Sequence, residues 1–189
     1  LGAVLARRSA LGVRIWRTRL MIWGILILMG ESGLLRFHAA RSARASAGGG
    51  GAHSERSLSG TSDRMHAVQL WLALPESRRL GAAEFQHLAS TPEMRFGDAE
   101  FKVFIGEYQG LASAAKVYHP TLGAEVRLNG QHRLQLEPDW EYGLLLVAGE
   151  LWIDGEQLPL RHLAHLTPGG EAPQLVGRNA VAVLLGGLP

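Results

Sequence analysis

The stretch that most restricts what this chain can fold into runs from Leu144 to Gly155. There the apolar runs Leu144–Val147 and Leu151–Ile153 are separated by Ala148-Gly149-Glu150 and closed by Asp154-Gly155. Asp-Gly is a strong hairpin signal, because glycine takes a positive φ without steric cost, and apolar runs parted by glycine turns read as a β-meander. Leu158 to Leu160, His165 to Gly170 and Val181 to Leu185 continue the pattern. Short strands with turns at regular spacing predict an all-β sandwich or barrel. Upstream, Glu100 to Tyr108 alternates, with Phe101, Val103 and Ile105 on one face, and predicts a half-buried strand ending at Gly106 or Gly110. Lys116 to His119 and Ala124 to Leu128 read as short strands around a turn at Pro120 to Gly123, and Arg133 to Leu136 as another. Glu137-Pro138-Asp139 turns into Trp140, and Thr91 to Gly97 is loop by composition.

A chain of 189 residues with 47% apolar residues suggests one large or two small domains with a real core. It contains no cysteine, which excludes a disulfide framework, a thiolate metal site and a cysteine nucleophile. Any metal must be held by His and carboxylate. The net charge of +2 hides an asymmetry: residues 1–60 hold nine Arg, no Lys and two acids, against ten bases and fifteen acids in the remainder. Nucleic-acid arms mix Lys with Arg in polar, accessible spacing. Here the spacing is apolar, so no direct nucleic-acid partner is expected.

Residues 1–19 carry Arg7, Arg8, Arg14, Arg17 and Arg19, and Leu20 to Met29 is then almost wholly apolar. That run is too short to cross a bilayer, which takes about twenty apolar residues. Ala45-Ser46-Ala47 has the small-x-small form of a cleavage site but lies far past the apolar run, with Arg36, Arg41 and Arg44 between. A buried strand pair or helix is therefore expected in place of a membrane span. A cytoplasmic protein is expected, with export the alternative if residues 1–47 are a true leader. Residues 36–52 are low-complexity, rich in Ala, Arg, Ser and Gly, as a GC-rich coding sequence reads when translated out of frame.

Two neighbouring motifs carry the candidate chemistry. From Ala67 to Leu74 the residues are nearly all apolar, and Pro75 closes the run, which predicts a strand buried on both faces. Just before it stands His53-Ser54-Glu55. On an extended segment, side chains two apart project from one face, so His53 and Glu55 could share a metal ion. Taken alone, the triplet reads first as a polar loop outside a strand.

The order of these segments resembles the pirin family, two-domain cupins that include bacterial quercetin 2,3-dioxygenase-like members. The matching segments are Gly48 to Gly51, His53-Ser54-Glu55, His66 to Pro75 with its His-x-x-Gln-x-Trp-x-x-x-Pro pattern, Glu84 to His87 and Phe104 to Glu107. Pro120 to Leu122, Tyr142 to Gly155 and Val183 to Gly187 follow in order. The resemblance implies an all-β fold of cupin barrels (double-stranded β-helix or jelly-roll) in a bicupin, with the first barrel incomplete. It implies residues 1–47 as an aberrant or leader-like segment, a frame-shifted remnant of the first cupin. Residues 48–97 would be the end of the N-terminal cupin with its connection, and residues 98–189 the C-terminal cupin, truncated.

The resemblance further implies a mononuclear divalent metal, most often iron, held by three His and one Glu in the first cupin, and dioxygenation of a flavonol-like small molecule. Only His53 and Glu55 carry over as ligands. The family's earlier His-x-His is absent, so metal binding is expected to be weak and the activity impaired. The alternative is a non-enzymatic protein-binding module of the transcription-cofactor type. A monomer with no membrane partner is expected.

In the C-terminal half, His162 and His165 are three apart, but on strand and turn such positions point to opposite faces, which argues against a metal pair. Glu137, Asp139 and Glu141 read as a solvated turn beside Trp140 in preference to a catalytic carboxylate pair. Gly-x-Ser-x-Gly, the phosphate-binding Gly-x-x-x-x-Gly-Lys and His-Glu-x-x-His are all absent, and the Gly48 to Gly51 run lacks a following Lys.

Overall fold

The structure is a computed structural model that describes residues 74–78, 80–82 and 84–189, together with the backbone of two strands, Arg14–Arg17 and Ser42–Ser46. The chain divides into two compact units, one formed by Leu1–Arg19 with Pro92–Pro189, the other by Leu20–Thr91. All regular structure among the described residues is β.

In the Leu20–Thr91 unit, β2 (Ser42–Ser46) pairs antiparallel with β3 (Glu84–Leu88). Pro75 accepts a hydrogen bond from the Arg78 N–H at 2.8 Å, and Glu76 to Arg78 form an exposed turn, as the polar run Glu76-Ser77-Arg78 leads one to expect. The expected strand from Ala67 to Leu74 lies, apart from Leu74, outside the described residues.

The other unit is one antiparallel sheet. In chain order its strands are β1 (Arg14–Arg17), β4 (Glu93–Phe96), β5 (Ala99–Ile105), β8 (Thr121–Arg133), β9 (Glu141–Ile153), β10 (Glu156–Leu158), β11 (His162–Leu166) and β12 (Gln174–Gly187). Their spatial order is β1-β11-β9-β12-β8-β5-β4, with β10 folded back on β9. Between β5 and β8 lies a small separate hairpin, β6 (Glu107–Tyr108) with β7 (Leu111–Ala112).

The core is written into the period of two. Register aligns Ala164, Leu144, Leu184, Ala124 and Val103 in one row across five strands, all fully buried. The next row aligns Leu146, Ala182, Val126 and Phe101. Alanines stand beside larger side chains in both rows, which lets neighbouring strands pack their side chains closely. The opposite face of β4, β5 and β8 carries an alternating charge pattern. Glu93, Lys102 and Glu125 stand in one row and Arg95, Glu100 and Arg127 in the next, with Lys102 3.2 Å from Glu93 and Arg95 3.4 Å from Glu100.

Several expectations are corrected. Thr91 to Gly97 is not a loop throughout, because Glu93–Phe96 forms β4: its charges pair across to β5 and Phe96 packs edge-on against Phe101 at 5.7 Å. The turn expected at Pro120 to Gly123 is replaced by the start of β8, a single 13-residue strand, and Lys116 to His119 forms no strand. Gly123 sits inside β8 because a Cβ there would collide with Phe104 and Ile105, so the glycine marks a close approach and no turn. Arg133 ends β8, and Leu134 to Leu136 is not extended ladder. The Ala148-Gly149-Glu150 break is likewise internal to the 13-residue β9, where Gly149 (φ 73°) lies opposite an irregularity in β12 between Arg178 and Val181. The bulge kinks the paired strands while leaving them continuous.

Val181 to Leu185 proves to be the middle of the 14-residue β12. The expected strand at Glu100 to Tyr108 stands as β5, ending before Gly106 (φ 76°), and Asp154-Gly155 is the hairpin turn between β9 and β10.

Candidate functional site

His53 and Glu55, the two ligand positions expected from the sequence, lie outside the described residues. Among the described residues no group of three or more His, Cys, Asp or Glu side chains could hold a metal ion. The C-terminal histidines are dispersed. His119 Nδ1 lies 3.1 Å from the Pro120 carbonyl and 3.2 Å from Thr121 Oγ1, and His162 Nδ1 lies 3.0 Å from the Leu160 carbonyl. His165 Nε2 is 3.6 Å from Glu141 Oε2, a partner that the sequence reading did not bring to it, because the two belong to β11 and β9 and meet only through register. Of the acidic run, then, Glu141 faces a histidine across the sheet, and Trp140 N–H donates to the Glu137 carbonyl to close the turn.

The concentration of unusual side chains is at one end of the sheet, where the β4–β5 hairpin meets β6 and the last residues of β8. Alternation on β5 turns Phe101 inward, and the turn after Gly106 returns Tyr108 against it. The two rings stack with centroids 4.3 Å apart. Phe96 stands edge-on to both, 5.9 Å from Tyr108, and the His132 ring lies 5.3 Å from Phe101. The buried phenols have structural partners: Tyr108 Oη accepts the Gln135 N–H at 3.1 Å and Tyr142 Oη accepts the Glu137 N–H at 2.9 Å. They replace the ladder bonds that the segment after β8 lacks. Trp140 stacks on Tyr142 at 6.0 Å.

Burial sets the protonation of this end. It pushes both phenols above the ordinary tyrosine value, against the lowering effect of the hydrogen bonds they accept from the main chain. It pulls His132 below the ordinary histidine value, opposed by the Phe96 main chain and the Asp98 carboxylate. His132 Nε2 is buried and has no hydrogen-bond partner among the described residues. Chemically, this is an apolar, aromatic end that favours neutral groups. Among the described residues, none joins His132 in a group that could hold a metal ion. Tyr108 and His132 were missed as a pair because both lie against Phe101 from other strands, which a spacing rule along one segment does not capture.

The comparisons fit this architecture. No family model matches the chain. A candidate quercetin 2,3-dioxygenase of Pseudomonas aeruginosa is 37% identical over 146 residues, covering 76% of this chain and 46% of that protein. A pirin-like protein of Caulobacter vibrioides is 28% identical over 149 residues (76% and 52%), and mouse pirin 27% over 140 residues (70% and 48%). The chain is a homologue of the pirins.

Its fold is accordingly the cupin fold of that family. A crystal structure of quercetin 2,3-dioxygenase from Acinetobacter baumannii superposes with a TM-score of 0.69 at 26% identity, covering 94% of this chain and 59% of that one. The bacterial pirin YhhW of Escherichia coli, solved in complex with nickel(II), superposes with a TM-score of 0.57 at 12% identity, covering 98% and 95%, a likeness of fold alone. The chain spans about half the length of the curated pirins it matches. No helix among the described residues is long and apolar enough to cross a membrane.

Proposed function

We propose that this chain is part of a pirin-type bicupin whose activity is metal-dependent oxygenation of a flavonol-like small molecule. The observation that carries the reading is the 37% identity over 146 residues to a protein named as a quercetin dioxygenase. In this reading residues 98–189 are the C-terminal cupin, residues 48–97 the end of the first cupin and its connection, and residues 1–47 an aberrant or leader-like segment. His53 and Glu55 are the metal ligands, the metal is iron, and the protein works as a cytoplasmic monomer.

A metal held there would supply coordination positions for substrate and oxygen. Two donors fall short of the three His and one Glu that the resemblance implies, and the described residues hold no metal-binding group of their own. The set as present therefore does not fit a tightly held metal, and no catalytic step is derived through it. What the chain's own residues contribute is a rigid, apolar cupin sheet with its phenols kept protonated.

The donor shortage favours a second reading, in which the chain is a non-enzymatic module that binds other proteins. One experiment separates the two. The full chain is loaded with Fe(II) or Ni(II), its metal content is measured after desalting, and quercetin loss is followed together with oxygen uptake. The dioxygenase reading expects weak metal retention that His53→Ala and Glu55→Ala both abolish, with slow, metal-dependent quercetin loss matched by oxygen uptake. A folded chain that retains no metal and consumes no quercetin removes the enzymatic reading for this chain and leaves the binding module.

A further inference from the structure

The end of β8 is fastened to the β4–β5 hairpin at several points, and one of them can take up a proton. The two-residue turn Gly97-Asp98 joins β4 to β5. The Asp98 carboxylate Oδ2 accepts the Gln131 N–H at 2.9 Å, and the Asp98 carbonyl accepts the Asn129 N–H at 3.4 Å. Gly130 (φ 134°) lets the strand pass close beneath that carboxylate, since a Cβ there would collide with it. Beyond Gly130, His132 lays its ring against Phe101, whose other partners are Tyr108 and Phe96. Through Phe101 this aromatic cluster thus meets one imidazole, whose Nε2 is buried and has no hydrogen-bond partner among the described residues.

We propose that His132 is a proton-sensitive latch: neutral, it packs the β4–β5 hairpin onto the end of β8, and protonated, it loosens that hairpin from the sheet.

The argument is one of desolvation. An apolar contact accepts a neutral imidazole, whereas a proton added at Nε2 creates a buried charged N–H with no acceptor, a state that opening to water relieves. The surroundings of the ring do not offset this. The Phe96 main chain at the end of β4 and the Asp98 carboxylate on the hairpin turn favour the charged form, but burial outweighs both and holds His132 below the ordinary value of 6.5. From β5 the ring meets Phe101, and behind it Tyr108 on β6 is a phenol that burial keeps protonated. Leu175, opposite His132 on β12, is apolar. Arg133, next on β8, donates to the Ala172 carbonyl at 2.7 Å, and Arg95 and Glu100 of the hairpin pair with each other.

The direction follows from linkage. A histidine depressed in the closed form takes its proton more readily in the open form, so the open form gains as pH falls below 6.5. Down to the depressed value, the opening equilibrium rises by about tenfold per pH unit.

The test is amide hydrogen exchange on the full chain between pH 7.5 and 5, expressed as protection factors, together with an NMR titration of the His132 ring. Protection at Asn129 and Gln131 is expected to fall by up to about tenfold per pH unit below 6.5, while Leu144 and Leu184 in the central rows keep theirs. The ring is expected to titrate below 6.5 in the same window. His132→Leu should hold the hairpin closed across the range. A ring midpoint at or above 6.5, hairpin protection independent of pH, or the same pH-dependent loss in His132→Leu would each overturn the latch. Should His132→Leu fail to fold, the wild-type ring midpoint and the site-resolved protection decide the matter alone.

Discussion

Arg127 Nε donates to Glu125 Oε1 at 2.6 Å, joining two residues that sit two apart on β8 and so on one face of it. Glu125 is only 9% exposed, which makes it a nearly buried carboxylate within the alternating charge rows of β4, β5 and β8. Lys102 lies opposite it but is 3.2 Å from Glu93. The guanidinium of Arg127 is thus the close cation for Glu125, and Arg127 has a further interaction of its own.

Removing that cation leaves a carboxylate poorly solvated. Arg127→Ala is expected to cost about 1–3 kcal/mol, the range for stranding a buried polar group, moderated by the exposure of the arginine side chain. Glu125→Leu with Arg127→Leu together should cost less than Arg127→Ala alone, because an apolar pair leaves no charge behind. Urea denaturation of the single and double variants measures this. A double-variant loss equal to the sum of the losses of Glu125→Leu and Arg127→Leu measured singly would show that the pair is not coupled.

Gly106 and Gly97 both have positive φ, 76° and 63°, yet substitution should separate them. A Cβ on Gly106 would run into the Thr121 carbonyl, whereas nothing lies within 4 Å of one on Gly97. Gly97→Ala pays only the left-handed backbone cost of about 1–2 kcal/mol. Gly106→Ala adds a backbone collision and is expected to lose more than about 2 kcal/mol, with folded yield falling accordingly. Thermal melts of the two variants side by side check the order.

These contrasts show which parts of the fold a sequence can disclose. Asp154-Gly155 was legible because the chemistry of a two-residue turn is local, and the inward positions Phe101 and Val103 were legible because alternation is local too. Gly123 and Gly149 were misread as turn residues. Their glycines answer to Phe104 and Ile105 in one case and to the main chain of Arg178 and Asn179 in the other, none of which a reading along one segment can place. The same holds for Glu93–Phe96, a strand made by pairing with Lys102 and Glu100 more than by its own composition. At the candidate site, the His53-Ser54-Glu55 motif was visible because metal ligands can be close in sequence. Tyr108 and His132 were not, since it is contact with the Phe101 ring that unites these residues from three strands.

The two buried phenols should act as one clamp on the segment after β8. Tyr108→Phe and Tyr142→Phe each leave a main-chain N–H, of Gln135 and Glu137, without its acceptor, and each is expected to cost about 1–3 kcal/mol. Burial raises both phenols above the ordinary tyrosine value of about 10. The unfolded chain therefore loses its tyrosine protons first as pH rises, so the folded form binds more protons and stability falls with increasing pH through and above about 10. Stability measured from pH 8 to 11 should decline in the wild type and less steeply in either phenylalanine variant. Parallel declines would show that other groups carry the alkaline loss.

The row Ala164, Leu144, Leu184, Ala124, Val103 makes the sharpest demand on volume, because every member is fully buried and Ala124 sits between Leu184 and Val103. Leu144→Ala opens a cavity between two strands and is expected to cost about 2–5 kcal/mol. Ala124→Leu makes the opposite error, forcing a large side chain between Val103 and Leu184, and is expected to cost about 1–3 kcal/mol or more through displaced rotamers. Leu188→Ala, at a position 48% exposed, should stay within about 0.5 kcal/mol of the wild type. Urea midpoints of the three variants test the row directly. If Ala124→Leu were as stable as the parent, the row would contain slack, and the alanine between Leu184 and Val103 would need another cause.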